Sequence, residues 1–300
     1  MASIKTLPGV FKAALSNYSS DKVPRLSASL AYYTIFSMSP LFVLVVAIAG
    51  LYYGGEEARE QLFRQMKDFM GEQGAGALQS VLAKASNPSS GVIASIIAGV
   101  TLLLGATGVF VELQDALNTI WNVRLRTGQG IKGFLKNRML TFAMVAGIGF
   151  LLLVSLILTA VLAGVGKFMG DRFPLLEPVG QVLNLVVSFL VITLLFAMIF
   201  KILPDVRIKW SDVWVGAALT SFFFNVGKFL IGYYLGKNSV SSAYGAAGSL
   251  VVILLWVYYS TQILFFGAEF TEVYANRYGG HLAPSNGAEF MGPRVKATAV

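Results

Sequence analysis

Ser221, Asn225, Lys228 and Gly232 are spaced 4, 3 and 4 residues apart, so on a helix they share one face. The stretch around them, 213–235, is otherwise free of charge, and Lys228 is the one basic residue well inside any apolar run. An ammonium group in hydrocarbon is costly, and such a residue marks a substrate path or a buried ion pair. A second row, Tyr258, Gln262, Glu269 and Glu272, is spaced 4, 7 and 3, with Tyr259 beside it. Glu112 and Asp115 close another apolar run, three residues apart. SASLAYYTIFSMSP at 27–40 carries seven hydroxyls, on Ser27, Ser29, Tyr32, Tyr33, Thr34, Ser37 and Ser39, and ends on Pro40. The chemistry these groups offer is hydrogen bonding and charge neutralisation of an anion in a low dielectric.

Covalent chemistry has little support. There is no cysteine, and the single histidine, His281, lies in a polar tail. No HExxH, no Cys/His cluster and no phosphate-cradling Gly-Lys loop is present, so no catalytic residue, metal site or cofactor is expected. GATG at 105–108 and YGAAG at 244–248 are small-residue runs suited to close helix packing, or to an unwound entrance to the last helix.

The elements that carry these rows are membrane helices. Of the 300 residues 56% are hydrophobic and 13% charged, against about 25% charged in an ordinary soluble domain. Six apolar runs are long enough to cross a bilayer, at 30–53, 92–112, 140–165, 181–203, 213–235 and 247–270. The chain therefore reads as an all-α polytopic membrane protein. Residues 41–53 alone are too short to span, so the first helix begins near Leu30 and takes much of the hydroxyl stretch into the membrane. No cleaved signal peptide is read at the N-terminus.

Lys and Arg set the orientation. With the N-terminus inside, fifteen fall on the cytoplasmic side, among them Lys22, Arg25, Arg124, Arg207, Lys209 and Arg277, and seven on the other. Both termini are then cytoplasmic. The net charge of +8 is explained by this bias and by attraction to anionic phospholipid headgroups, so no nucleic-acid partner is expected. Outside the spans, residues 1–29 read as a cytoplasmic amphipathic segment. Its stripe of Ile4, Leu7, Phe11, Leu15 and Tyr18 would lie on an anionic leaflet. Residues 54–90 read as an outer-surface helical loop, and 273–300 as a cytoplasmic tail with no apolar period beyond residue 280, partly disordered.

Direction sorts the polar groups by depth. On the first helix Tyr32, Tyr33, Ser29, Ser37, Ser39 and Pro40 fall within an arc of about 160° and should face protein or water. Leu30, Ala31, Ile35, Met38 and Phe42 cover the lipid side. Pro40 leaves the Phe36 carbonyl without its helical donor. Tyr32, Tyr33, Glu112, Asp115, Gln262 and Glu269 all fall in the cytoplasmic half, near Arg25 and Arg207. They form either interfacial ion pairs or the lining of a cavity open to the cytoplasm. Lys228 lies about 10 Å from the outer end of its helix, and its Cα–Cβ bond tilts back toward the cytoplasm, against outward snorkelling. The helix ending in Glu112 should continue along the surface through Val109, Leu113, Ala116, Ile120 and Val123.

Four stretches together resemble one family: LAYYTIFSMSPL at 30–41, ELQDALNTIWNV at 112–123, PDVRIKWSDVWVGAA at 204–218 and YGAAGSLVVILLWVYYSTQILFFGAEF at 244–270. The resemblance is to the YihY/BrkB family of bacterial inner-membrane proteins, long mislabelled ribonuclease BN, and covers roughly 25–280. Matching positions include Tyr32, Pro40, Asp115, Asn118, Trp121, Pro204, Arg207, Lys228, Tyr244, Gly245, Trp256, Tyr258, Gly267 and Glu269, whereas Tyr33 is not expected across the family. The resemblance implies a six-helix protein of the bacterial cytoplasmic membrane, with transport of a lipid or envelope precursor as its suggested role. A ribonuclease would need metal ligands in a soluble domain, and the sequence offers neither. The combined expectation is a transporter or flippase of an amphipathic, anionic substrate, with a non-transporting scaffold as the rival. Lys228 and Arg207 would contact negative groups. Ser221, Asn225, Tyr32, Tyr33, Ser37, Pro40, Tyr258 and Gln262 would line the path. Arg25, Glu112, Asp115 and Glu269 would pair or couple proton movement.

Overall fold

The computed structural model describes residues 7–37, 60, 63, 64, 67, 72, 75, 76, 79, 108–126, 177–237, 247–279, 282–285 and 287–292. The expected span 140–165, most of 92–112, the end of 30–53 with Pro40, and most of the outer loop lie outside these residues. Helix α1 is Leu7–Ser20, α2 covers 23–37 and α3 covers 108–120. Strand β1 is Val123–Leu125. Helix α4, Glu177–Ile202, leads through β2, Val206–Arg207, into α5, Trp210–Lys237. Helix α6 is Gly248–Tyr278, followed by β3, Ala283–Pro284, and β4, Ala288–Phe290.

Among the described residues, three helices are long and apolar enough to cross a membrane: Leu185–Ile202, Trp210–Tyr234 and Gly248–Tyr278. They hold the runs expected at 181–203, 213–235 and 247–270. Helix α6 continues eight residues past its expected end because Glu269 and Glu272 are buried, so their charges do not mark the edge of the protein. Helix α5 exposes Trp210 and Trp214 at one end and Tyr233 and Tyr234 at the other. Trp214 and Tyr233 are nineteen residues apart, about 29 Å along the axis, which matches a hydrocarbon layer of about 30 Å with aromatic belts at both edges.

The α5–α6 seam is a reciprocal Gly–Thr lock. A Cβ built on Gly216 would come within 2.7 Å of Thr271 Cβ, and one on Gly267 within 2.9 Å of Thr220 Cβ. Each threonine hydroxyl bonds back to the glycine four residues earlier on its own helix: Thr220 Oγ1 to Gly216 O at 2.7 Å and Thr271 Oγ1 to Gly267 O at 2.6 Å. The methyl and hydroxyl of each threonine thus fill the space that the missing Cβ leaves opposite, which is how small residues bring membrane helices together. Gly227 continues the seam against Ile263 and Tyr259. At its end the buried Asp212, in the first turn of α5, lies against Gly279, where a Cβ would sit 2.8 Å from its Cγ.

The core joins these helices to α2 and α3 through Val23, Leu30, Leu113, Leu117, Trp121, Phe196, Phe200 and Phe265. Helix α3 continues past Glu112 to residue 120, as the stripe led us to expect. Leu113, Ala116, Ile120 and Val123 of that stripe are buried in this core, against side chains of α4 and α5. The chain beyond residue 280, expected to lack order, forms two short antiparallel pairings. Strand β4 joins β1 with Arg124 opposite Glu289, and β3 joins β2 with Val206 opposite Pro284. Asn122, at φ 55°, turns the chain between α3 and β1, and its Nδ2 donates to Gly292 O at 2.9 Å. Pairing with distant partners needs no apolar period, so composition did not reveal it.

Candidate functional site

Helix α1 carries the first surprise. Its packed face centres on Val10 and Ala14, fully buried against Phe270 and Val273 of α6; of the expected stripe Leu7, Phe11 and Tyr18 flank this contact, and Leu15 does not. Leu15 is 58% exposed. The reason is the aromatic ridge of α5 and α6: the Phe11 ring lies 5.2 Å from Phe266, 5.8 Å from Phe223 and 6.0 Å from Phe270, centroid to centroid. Tyr18 lies edge-on to Phe266, and its hydroxyl donates to Gln262 Oε1. Gln262, expected to line a path, is therefore held by the N-terminal helix.

Helix α2 turns part of the side expected to meet lipid toward the protein instead. Leu30 and Ala31 are buried, whereas Tyr32 is 59% and Tyr33 42% exposed. The Tyr32 ring lies 4.8 Å from that of the exposed Phe36, centroid to centroid, tilted by 56°. Among the hydroxyls, Ser27 and Ser37 are buried, and Thr34 Oγ1 donates to the Leu30 carbonyl at 2.7 Å. Compact Ala31 fits against Val252, Ile253 and Val257, a contact that a tyrosine could not make. That contact also sets the level of Tyr32 and Tyr33. They stand near the N-terminal end of α6, away from Glu269, and do not join a single layer with Asp115 and Glu269 as expected.

Asp115 instead lies near Glu112 and near Asp205, which sits in the α4–α5 connection. Asn118 Nδ2 donates to Asp205 Oδ2 at 2.9 Å, Gln114 Nε2 donates to the same oxygen at 3.2 Å, and the Asp205 N–H donates to Asn118 Oδ1 at 2.8 Å. The Ser285 N–H donates to Asp205 O at 2.9 Å, so the residue ties α3, the α4–α5 connection and the C-terminal strands together. Burial raises the Asp205 carboxyl above its ordinary range, opposed by the Asn118 and Gln114 bonds. Asp115 is raised by burial first, then by Glu112 and Asp205. Its side chain is solvent-exposed, so screening tempers this effect. Sequence reading passed over Asp205, although it stands beside Pro204 in the quoted motif, because an aspartate in a polar connection looks like a solvated charge.

The α5 row divides by depth. Ser221 is fully buried, and Asn225 Nδ2 donates to the Ser221 carbonyl at 2.8 Å. Lys228 is half-buried, with Nζ 5.8 Å from the Phe229 ring centroid, and no Cβ contact surrounds Gly232. Glu269 is fully buried and Glu272 nearly so, with Asn276 Nδ2 donating to Glu272 Oε1 at 2.6 Å. Tyr258 is half-buried beside the Ala31 cluster. Arg25 and Arg207 are exposed. Lys201 donates to the Ile208 carbonyl and sits over the Trp210 ring. Glu289 bridges Arg124, at 3.0 Å, and Arg126, at 3.6 Å.

Comparison with known proteins agrees with this picture of a helical membrane protein. A family described as Virulence factor BrkB matches residues 14–290. The chain is 26% identical over 285 residues to a UPF0761 membrane protein of Albidiferax ferrireducens, covering 91% of this chain and 64% of that one. It is 28% identical over 257 residues to one of Pseudomonas aeruginosa, covering 83% and 58%. A third, from Mannheimia succiniciproducens, is 26% identical over 284 residues, with 91% of each chain covered. The chain thus spans about three fifths of the length of the first two relatives. No solved structure matches. With a family match over nearly its whole length and three helices able to span a bilayer, the chain is an integral membrane protein that belongs to the Virulence factor BrkB family, whose relatives carry the name UPF0761 membrane protein.

Proposed function

We propose that this protein crosses the bacterial cytoplasmic membrane six times, with both termini inside, and moves an amphipathic, anionic lipid or envelope precursor between leaflets. The observation that carries the reading is the pair of fully buried polar residues, Glu269 and Ser221, on helices that span the membrane. Buried ionisable groups at this depth mark transport paths more than lipid contacts. The basic residues Arg124, Arg126, Lys201, Arg207, Lys209 and Arg277 gather at the Trp210 end of the bundle, which supports that end as the cytoplasmic one. Lys228 and Arg207 attract the negative group, Ser221, Asn225 and Tyr258 offer hydrogen bonds along the way, and Glu269 holds or relays charge.

Liposomes containing this protein alone, loaded with fluorescent phosphatidylglycerol, test the reading. Dithionite should bleach the inner-leaflet dye faster than in protein-free liposomes. Lys228→Met should abolish the gain and Lys228→Arg should keep part of it. Equal bleaching with and without protein would overturn transport. The rigid Gly–Thr seam favours a second reading, a non-transporting scaffold of an envelope complex, and that outcome would leave it standing.

A further inference from the structure

The tail that follows α6 is held by hydrogen bonds more than by apolar burial. Its described residues are 282–285 and 287–292, and of these Ala288 alone is buried. The tail meets its partners in chain order. Pro284 stands opposite Val206. The Ser285 N–H donates to Asp205 O, the Arg126 N–H to Gly287 O and the Met291 N–H to Asn122 O, each at 2.9 Å. Asn122 Nδ2 closes the run on Gly292 O. One segment thus ties the α4–α5 connection to the end of α3.

The two faces of the β1–β4 pair differ. Residues directly opposite each other share a face. Val123 and Phe290 lie on one face with Leu125 and Ala288, and Val123 and Ala288 turn inward. Arg124 and Glu289 lie on the other, where Glu289 also meets Arg126. The side chains of both arginines are more than 60% exposed, so each ion pair is weak and salt screens it. Strand pairs of two and three residues with one buried alanine on the tail open at far less cost than helices locked by the Gly–Thr seam. Asp205 carries the consequence to α3. Its carbonyl holds the tail through Ser285, while its carboxylate accepts from Asn118 and Gln114.

We propose that these tail residues form a strap across the Trp210 end of the bundle, which opens and closes as one unit with β1 while the helices stay folded. Glu289 is the charge that keeps it closed, and opening loosens α3 through Asp205. The strap does not depend on transport or on which side of the membrane that end faces.

Hydrogen exchange of the full chain in nanodiscs, resolved by peptide mass, tests the strap. Amides of 122–126 and 287–292 should exchange at a common rate, at least an order of magnitude faster than those of α3 and α6. Glu289→Gln should speed both by up to about fivefold, and 112–120 of α3 by a smaller factor. Salt at 1 M, where the screening length is about 3 Å, should speed the parent and leave the variant unchanged. The bond from Met291 to Asn122 makes Val123 and Phe290 a non-hydrogen-bonded pair, with Cα atoms about 4.5 Å apart, a separation that a disulfide accepts. The chain has no cysteine, so Val123→Cys/Phe290→Cys carries one defined thiol pair. Its oxidised form should slow exchange in the tail, β1 and α3, and reduction should restore it. A variant that unfolds as a whole is told apart by fast exchange throughout α6. Tail and β1 amides as slow as those of the helices overturn the strap. A tail that opens with α3 unchanged overturns the coupling through Asp205. An equal response of parent and Glu289→Gln to salt overturns the role of Glu289. None of these measurements reads lipid movement, so failure of transport and failure of the strap are separate results.

Discussion

Gly216→Ala adds one methyl group at the tightest point of the α5–α6 seam. Its carbon would lie 2.7 Å from Thr271 Cβ, where carbons rest at about 3.5–4.0 Å. The helices must part by about 1 Å, or Thr271 must leave its rotamer and its 2.6 Å bond to Gly267 O. Overpacking of this kind costs ~1–3 kcal/mol, and the better helix preference of alanine returns ~0.5–1 kcal/mol. The net loss should be about 1–2 kcal/mol. Gly267→Ala should behave alike, with Thr220 Cβ at 2.9 Å. Gly232→Ala is the control: nothing surrounds it within 4 Å, so it should be neutral or stabilising. Combining Gly216→Ala with Thr271→Ala removes the Thr271 Oγ1 that the new methyl group meets first and should recover part of the loss. Thermal unfolding in detergent, followed by the monodisperse fraction left after heating, measures all four variants. A Gly216→Ala midpoint equal to the parent's or above it would refute the lock.

Tyr18→Phe removes the hydrogen bond to Gln262 and keeps the ring against Phe266; it should lower stability by ~0.5–1.5 kcal/mol in the same assay. Asp115 has a raised carboxyl pKa, so its contribution favours folding below the ordinary aspartate range and is lost as pH rises through the raised value. Asp115→Asn should therefore raise the melting midpoint at neutral pH and leave it unchanged in acid, and a gain confined to acid would reverse the sign. Glu289→Gln breaks exposed pairs with Arg124 and Arg126; it should cost less than ~1 kcal/mol, and less still at high salt, in a chemical-unfolding series.

The sequence by itself determined the class of this protein and three helices long and apolar enough to cross a membrane. Runs as apolar as those in α4, α5 and α6 have no stable place outside a bilayer, and the family motifs needed no structure to be seen. Periodicity also put Ser221, Asn225 and Lys228 on one side of α5, because that is a property of one helix alone. What it could not decide was which helix each face meets. Hydrophobicity cannot tell lipid from a neighbouring helix, since both are apolar, and in this solvent shape decides instead. Small Ala31 therefore turned inward where Tyr32 and Tyr33 were expected, and Val10 and Ala14 docked α1 where Leu15 was expected. Gly216 and Gly267 became the closest contact because a threonine stood opposite each. Asp205 gained its role from Asn118, eighty-seven residues away in the chain, and the C-terminal strands gained theirs from β1 and β2. Pairings between distant segments rest on geometry that no local pattern encodes, and the tertiary structure alone supplied it.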